Sequence, residues 1–474
     1  MTESNLFFAK LESHSLNRPD RIAMSFATND GIQTHSYQAL WKDIVSSNVK
    51  LAGIKLVDGS SNYNNIIEYL SYIYRAGFPA FYSPLTPRLD PLLYANELRI
   101  LRNRFEGLEL ELKNPSQYGG FVQFTSGTTG IRKGCAVTMN SLSDHLEGLG
   151  LALSISDNDK IGSWLPLYHD MGLISTLFLP LYFGLSVSYL DPITWSYKPL
   201  LFNEMIEREK ISLCWQPNFA FLHTVAHQKK VAQRFRLDSL RKIISCSEPC
   251  RFIAFRDYYE EFHSDGLRAS ALQTSYAMAE NIFAVTLSDF SSPKEWSICN
   301  GYISSGKPLS GTKIKLIATD PTESVIQISG NSVVPGYIGN DSRNFSTNDG
   351  NTFFYTSDIG LFRDGELFVF GRNDDTIIVN GKKILAHELE EFVSQFPLVR
   401  RGRVLVTPKA KGGSLIIYFE GSLSAAETQV IRKWAISNFA VTLSEFIQLE
   451  NGFLIKSSSG KIARKKSLYK INSI

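Results

Sequence analysis

The chemistry of this chain is densest in Phe124-Thr-Ser-Gly-Thr-Thr-Gly-Ile-Arg-Lys-Gly134. Four hydroxyls (Thr125, Ser126, Thr128, Thr129), three glycines (Gly127, Gly130, Gly134) and two cations (Arg132, Lys133) fall within ten residues. Glycine lets backbone N–H groups approach an anion closely, hydroxyls add donors, and Arg and Lys supply charge. The pattern is that of a phosphate-binding loop rather than an ordinary polar turn. It is not a Walker A loop, because no Gly-x4-Gly-Lys-Ser/Thr spacing can be drawn through it. Two further clusters suggest metal at first sight. His223 and His227 are four apart, as are Cys246 and Cys250. The cysteine spacing is not the Cys-x2-Cys of structural zinc, so no zinc site is expected. The basic run Arg464-Lys465-Lys466 reads as a solvated face and not as a nucleic-acid site.

The elements around the loop follow from pattern. Gly119-Gly-Phe-Val-Gln-Phe124 reads as a short buried strand, which makes the cluster a strand-ending loop. Residues 4–17 and 64–77 have helical apolar spacing, and strands are expected at Arg21–Phe26 and Phe78–Tyr82. Helices and strands alternate to about residue 290, which predicts an α/β architecture with helices layered on mostly parallel sheets. From about 300 to 371 turn residues crowd in and short strands are expected, as a small β subdomain. The polar run Gly371-Arg372-Asn373-Asp374-Asp375 between two apolar stretches predicts the domain boundary.

At 474 residues the chain exceeds one ordinary core, so at least two domains are expected. Its 43% apolar and 20% charged content describe a globular protein with ample core. The net charge of +3 is uneven: residues 375–474 hold 15 Lys+Arg against 8 Asp+Glu. A basic C-terminal lobe implies an anionic partner. Five scattered cysteines imply a reducing compartment rather than a disulfide framework. No basic segment followed by an apolar run opens the chain, so a cytoplasmic protein without a leader is expected. Between Asp170 and Asp191 lie 20 residues without a charge, long enough to span a bilayer. Pro180, Gly184 and several hydroxyls interrupt them, so a buried helix followed by a buried strand is expected and no membrane insertion.

The loop resembles the phosphate loop of the adenylate-forming superfamily: acyl-CoA synthetases, peptide-synthetase adenylation domains, luciferases and fatty acyl-AMP ligases. Other motifs, in order along residues 5–470, carry the same resemblance. Ser163-Trp-Leu-Pro-Leu-Tyr-His169-Asp170-Met-Gly-Leu-Ile174 is similar to the block of fatty acyl-AMP ligases, and implies that His169 lines the acyl-carboxylate site. Ser247-Glu248-Pro249 resembles the adenine-binding turn. Ser275-Tyr276-Ala277-Met-Ala-Glu280 resembles the Tyr-Gly-x-x-Glu element, which implies Tyr276 against adenine and Glu280 on Mg²⁺, with Ala277 standing where glycine is usual. Hard oxygen ligands suit Mg²⁺ on phosphates. Tyr355-Thr-Ser-Asp358 resembles the Thr-Gly-Asp motif, with Ser357 in place of glycine. It implies that Asp358 accepts both hydroxyls of a ribose diol, as a carboxylate can. Gly371-Arg372-x-Asp374 matches the ribose-contacting arginine and the hinge aspartate. Ser457-Ser-Ser-Gly460-Lys461-Ile-Ala-Arg464 resembles the C-terminal Gly-Lys motif, whose lysine reaches the substrate carboxylate and α-phosphate.

The resemblance implies an N-terminal AMP-binding domain over 1–371, a hinge at 372–374, and a small mobile α+β lid domain over 375–474. It implies an enzyme that uses ATP and Mg²⁺ to convert a carboxylic acid, fatty or related, to an acyl-adenylate. The acyl group would then pass to the phosphopantetheine thiol of an acyl carrier protein, with free CoA as the alternative acceptor. Only 25 residues separate Glu280 from Gly306, where fatty acyl-AMP ligases carry an extra segment, and this keeps the CoA alternative open. A catalytically degenerate nucleotide-binding protein is a third reading, against which the joint presence of Lys461, Glu280 and Asp358 argues. Cys214-Trp215-Gln216-Pro217-Asn218-Phe219-Ala220 resembles the Gly-Gly-Pro-Asn-Phe-Ala segment bordering the fatty-acid tunnel. With Trp215 and Gln216 in place of two glycines, and Phe219 beyond them, the implied pocket is shortened and partly polar.

Overall fold

A computed structural model describes residues 6–28, 31–51, 53–84, 91–108, 119–125, 132–318, 324–339, 343–348, 351–379, 382–409, 413–456 and 462–473. The chain divides into two compact units. The first comprises Met1–Thr125, Lys133–Thr356 and Gly360–Phe370, and the second Ser126–Arg132, Ser357–Ile359 and Gly371–Ile474.

The first unit is built on two mixed sheets and a β subdomain. The larger sheet has seven strands in the order Leu272–Thr274, Lys242–Ser245, Leu213–Gln216, Lys160–Ser163, Ser186–Tyr189, Ile22–Thr28, Gly31–Ser36. The first six run parallel and the last antiparallel. The smaller sheet has the order Ile54–Asp58, Phe78–Tyr82, Gly120–Phe124, Gly134–Thr138, with the last pair antiparallel. Gly119, just before its third strand, and Gly120, that strand's first residue, are glycines because nothing larger fits. A Cβ on Gly119 would lie 1.9 Å from the Gly77 carbonyl oxygen, and one on Gly120 2.1 Å from that of Val137.

The helices follow their apolar spacing. Leu6–Asn17 buries Phe7, Phe8, Leu11 and Ser15 on one face. Tyr63–Tyr74 is opened by Asn62, whose side chain accepts from Asn65 N at 3.0 Å, a standard N-cap. The uncharged stretch after Asp170 is a continuous helical segment, Asp170–Phe183, followed by the buried strand Ser186–Tyr189. Its middle, Leu173–Phe178, widens to a π-helix. The side chains of Ser175 and Thr176 donate to the Met171 and Gly172 carbonyls, and Tyr189 donates to Thr176 O at 2.6 Å. No helix among the described residues is long and apolar enough to cross a membrane.

One expectation about the β subdomain fails. Asn351–Arg363 is a single strand of 13 residues, not one of several short ones. Its first residues form a hairpin with Phe345–Asn348, and it also pairs with Ser324–Gly330 and with Glu366–Arg372. A strand that serves three partners must be long, whatever turn residues lie in it.

The second unit has its own core, in which the three-stranded sheet Val399–Pro408, Ser414–Gly421, Thr442–Leu449 packs with the helices Ala386–Val393 and Ala425–Phe439. Ser424 and Glu427 form a reciprocal capping box at the start of the longer helix.

Candidate active site

The base of the hydroxyl-rich loop is closed by its own strand ends. Thr125 N donates to Lys133 O at 2.9 Å, and Lys133 N donates to the Thr125 hydroxyl at 3.3 Å. Residues Ser126, Gly127, Thr128, Thr129 and Gly130 lie outside the described residues. Lys133 leaves the loop with its ammonium 4.5 Å from the centroid of the Tyr337 ring, a cation–π geometry. The Tyr337 hydroxyl in turn donates to Glu280 Oε1 at 2.5 Å. One aromatic ring thus links the loop cation to the carboxylate expected to hold metal.

Glu280 sits on a tightly fixed turn. It lies in the 3₁₀ turn Ala279–Asn281, and its carbonyl accepts from Val334 N at 2.9 Å. The fully buried Gln123, on the strand that leads into the loop, donates to both Ala279 O and Ile282 O at 2.8 Å. Ile282 has φ +61° and ψ −56°, and Phe283 N donates back to Asn281 O at 2.5 Å. This is a γ-turn, a strained conformation for a β-branched residue. It persists because the Ile282 side chain is buried in the core and its carbonyl is held by Gln123.

The charges of this region surround Cys135. Burial pushes its thiol far above the usual range, Glu280 and Asp170 push it further, and Lys133 opposes them. The thiol is therefore protonated and unsuited to nucleophilic work. His169 is the N-cap of the Asp170 helix, and its carbonyl accepts from Leu173 N at 2.8 Å.

Ser247-Glu248-Pro249 leaves the sheet at the end of Lys242–Ser245. Ser247 takes φ +70°, and Glu248 Oε2 accepts from Phe219 N at 3.1 Å, at the start of the helix Asn218–Gln228. A carboxylate suits that end of a helix dipole. On the neighbouring strand end, Ser275 donates to Thr286 O at 2.7 Å, and Tyr276 N donates to the Thr286 hydroxyl at 3.1 Å. Tyr276 is buried, and Ala277 forms a bridge to Ala284 without a left-handed backbone, so alanine is tolerated there. Ser357 differs: its φ is +61°, the region that favours glycine, and the serine occupies it under strain. Asp358, beside it, pairs with Arg372 at 3.2 Å.

Lys461 and the side chain of Asp374 lie outside the described residues. Three residues after Lys461, Arg464 is anchored by Glu390 at 2.5 Å and by Val406 O at 3.1 Å. Burial raises the Glu390 carboxyl, against the lowering effect of Arg464.

The expected acyl-pocket residues separate. Trp215 is 1% exposed and Gln216 2%, whereas Phe219 is 46% exposed on the first turn of its helix. Trp215 and Gln216 are consecutive on a strand, so the pleat sends them to opposite faces of the sheet. The two therefore line different faces of that sheet. Among the suspected zinc ligands, His223 Nε2 meets Ser196 O at 3.1 Å and His227 Nδ1 meets His223 O at 2.9 Å. Burial pushes the Cys246 and Cys250 thiols up to about 12.

For Mg²⁺, Glu280 is a hard oxygen donor with more than one lone-pair site, so the Tyr337 hydrogen bond leaves capacity for a cation. One carboxylate with substrate phosphates and water is a usual Mg²⁺ arrangement, so the residues fit. Sequence reasoning missed Gln123, Tyr337 and Val334. Each acts across more than fifty residues of sequence, and nothing in their local spacing marks them.

Residues 113–338 match the family described as AMP-binding enzyme. Over 393 residues the chain is 27% identical to the medium-chain-fatty-acid–[acyl-carrier-protein] ligase JamA of Moorena producens, covering 73% of this chain and 66% of that protein. It is 26% identical to the corresponding ligase TtuA of Teredinibacter turnerae over 58% of this chain and 49% of that protein. The match therefore spans less than two thirds of each of these two relatives. In fold, the chain is similar to a structure from a study of fatty acyl-adenylate ligases of E. coli and L. pneumophila, with a TM-score of 0.84 at 20% identity over 98% of both chains. McyG A-PCP complexed with phenylalanyl-adenylate gives the same TM-score at 21% identity, covering 98% of this chain and 83% of that one.

Proposed function

We propose, from the premise that residues 113–338 form an AMP-binding domain of the adenylate-forming family, that this chain activates a carboxylic acid with ATP. An oxygen of the carboxylate attacks the α-phosphorus of ATP and the bond to pyrophosphate breaks. Pyrophosphate leaves, and the acyl-adenylate remains. A thiol then attacks the acyl carbon, loses its proton, and displaces AMP. The acceptor in this reading is the phosphopantetheine of an acyl carrier protein, a choice supported by the resemblance to acyl-carrier-protein ligases and by the basic C-terminal hundred residues.

The observation that carries the reading is the chain Lys133–Tyr337–Glu280, which brings the loop cation and a metal-competent carboxylate onto one ring. No protein nucleophile is required, so catalysis is positioning plus charge neutralisation. Lys133 and the 125–130 loop hold the outer phosphates. When bound, Mg²⁺ held by Glu280 would neutralise charge on those phosphates. Tyr276 and the 247–249 turn take the adenine, Asp358 and Arg372 the ribose, and His169 lines the acyl carboxylate. Lys461 bridges the carboxylate and the α-phosphate as charge builds in the transition state. Asp374 serves as the hinge, and the residues from 375 as the lid.

The test is carboxylate-dependent exchange of labelled pyrophosphate into ATP across acids of graded length. Exchange that needs an acid, and that Lys461→Ala abolishes while ATP still binds, is the expected result. Nucleotide binding with no exchange for any acid would leave only a binding protein. Supplying carrier protein and CoA in separate reactions decides the acceptor: efficient acyl-CoA formation without carrier loading would contradict the carrier assignment.

A further inference from the structure

At the carboxyl ends of the parallel strands, two buried N–H donors have nothing to donate to among the described residues. Gln216, the last residue of Leu213–Gln216, has no acceptor within reach of its Nε2 among the described residues. Trp164, one residue beyond Lys160–Ser163, is 5% exposed, and its indole Nε1 is likewise without an acceptor there. These strands are neighbours. Their register pairs Gly162 with Cys214, and continuing it two residues sets Trp164 level with Gln216. On the other side Ser245 pairs with Gln216, so its hydroxyl leaves the sheet on the same face. That hydroxyl has no hydrogen-bond partner among the described residues.

Buried polar groups in native proteins are nearly always paired, and a lone unpaired donor is destabilising. Two donors level with one another on adjacent strands mark a place where something else supplies the acceptor. Ligands of open α/β sheets bind beyond the carboxyl ends of the strands, and these donors lie there. An aromatic wall leads from them to the surface. Trp164 stacks on Trp195 with centroids 3.5 Å apart and planes 1° from parallel, and Trp195 meets the exposed Phe219 edge-on at 6.1 Å.

We infer that the acid this chain activates carries a neutral hydrogen-bond-accepting oxygen on its chain, a ketone or hydroxyl, received by Trp164 Nε1 and Gln216 Nε2. The inference rests on the adenylation reading. An indole N–H can only donate, so the ligand must present an acceptor. A second carboxylate does not suit the position, because both donors are neutral and a buried anion requires a charged partner. A plain alkyl chain would leave both donors unpaired.

The experiment measures carboxylate-dependent pyrophosphate exchange for octanoic acid and for octanoic acids bearing one ketone or hydroxyl at successive carbons. At least one oxygenated acid should exceed octanoic acid in kcat/KM by about tenfold, the worth of one net hydrogen bond. In Gln216→Met and Trp164→Phe, which keep apolar bulk and the stack on Trp195, that ratio should fall toward unity. Wild-type preference for octanoic acid over every oxygenated acid would overturn the inference while leaving adenylation standing. So would a preference that neither substitution alters. Absence of exchange with any of these or longer acids would refute the adenylation reading, and the inference with it. The wild-type ratio requires no variant to fold.

Discussion

Two buried polar groups, one in each unit, are treated in opposite ways. Glu420, in the second unit, is fully buried, and its carboxylate is surrounded by donors. Arg400 meets it at 2.9 Å and Arg403 at 3.5 Å, while Gly452 N and Leu454 N each donate at 2.9 Å. Gln216, in the first unit, is as deeply buried, yet its amide nitrogen has no acceptor among the described residues. The first arrangement ties the middle strand of a three-stranded sheet to the chain after Thr442–Leu449, and everything it needs is protein. The second is incomplete without a ligand. Complete satisfaction marks scaffold, and a missing partner at a strand end marks a binding place.

Glu420→Ala removes the acceptor from two arginines and two backbone donors. It should lower stability by about 3–5 kcal/mol, the usual consequence of breaking a buried ion pair. Chemical denaturation measures this, and a loss below about 1 kcal/mol would mean the cluster is not scaffold.

His145 is an intermediate case, half satisfied. Its Nδ1 meets the Ser332 hydroxyl at 3.0 Å, whereas Nε2 has no partner among the described residues. Burial pushes its pKa down to about 3. Below about 6.5 the unfolded chain takes up a proton that the folded chain refuses. Stability is therefore fully present above about 6.5 and is lost progressively as pH falls toward 3. Denaturation midpoints of wild type and His145→Gln across that window should diverge, with the variant less steep. Parallel slopes would show that His145 is not held neutral in the fold.

The smallest effect is expected at the binding place itself. Gln216→Met removes an unpaired amide at nearly constant volume, so stability should stay level or rise by up to about 1 kcal/mol. A loss above about 2 kcal/mol would show that the amide already has its partner and that the contrast with Glu420 is false.

Much of the frame was legible because it rests on local pattern. The buried strand before Thr125, and the helix and strand within the uncharged 171–190 stretch, follow from apolar runs and their punctuation. The site was legible only in part. Glu280 and Lys133 stand out by type, but Tyr337 joins them from a distant turn. The γ-turn at Ile282 was invisible for a physical reason: a β-branched residue argues against positive φ, and only its burial and Gln123 hold it there. Trp215 and Gln216 looked alike as replacements for small residues, yet strand alternation gives them different faces.

Attack of a carboxylate on the α-phosphorus leaves a trace in the carboxylate oxygen, which passes to AMP. With an accepted acid labelled with heavy oxygen in both carboxylate positions, plus ATP, Mg²⁺ and a thiol acceptor, the account predicts AMP carrying one heavy oxygen and unlabelled pyrophosphate. Heavy oxygen in inorganic phosphate, with ADP as the nucleotide product, would place the attack on the terminal phosphorus and contradict it.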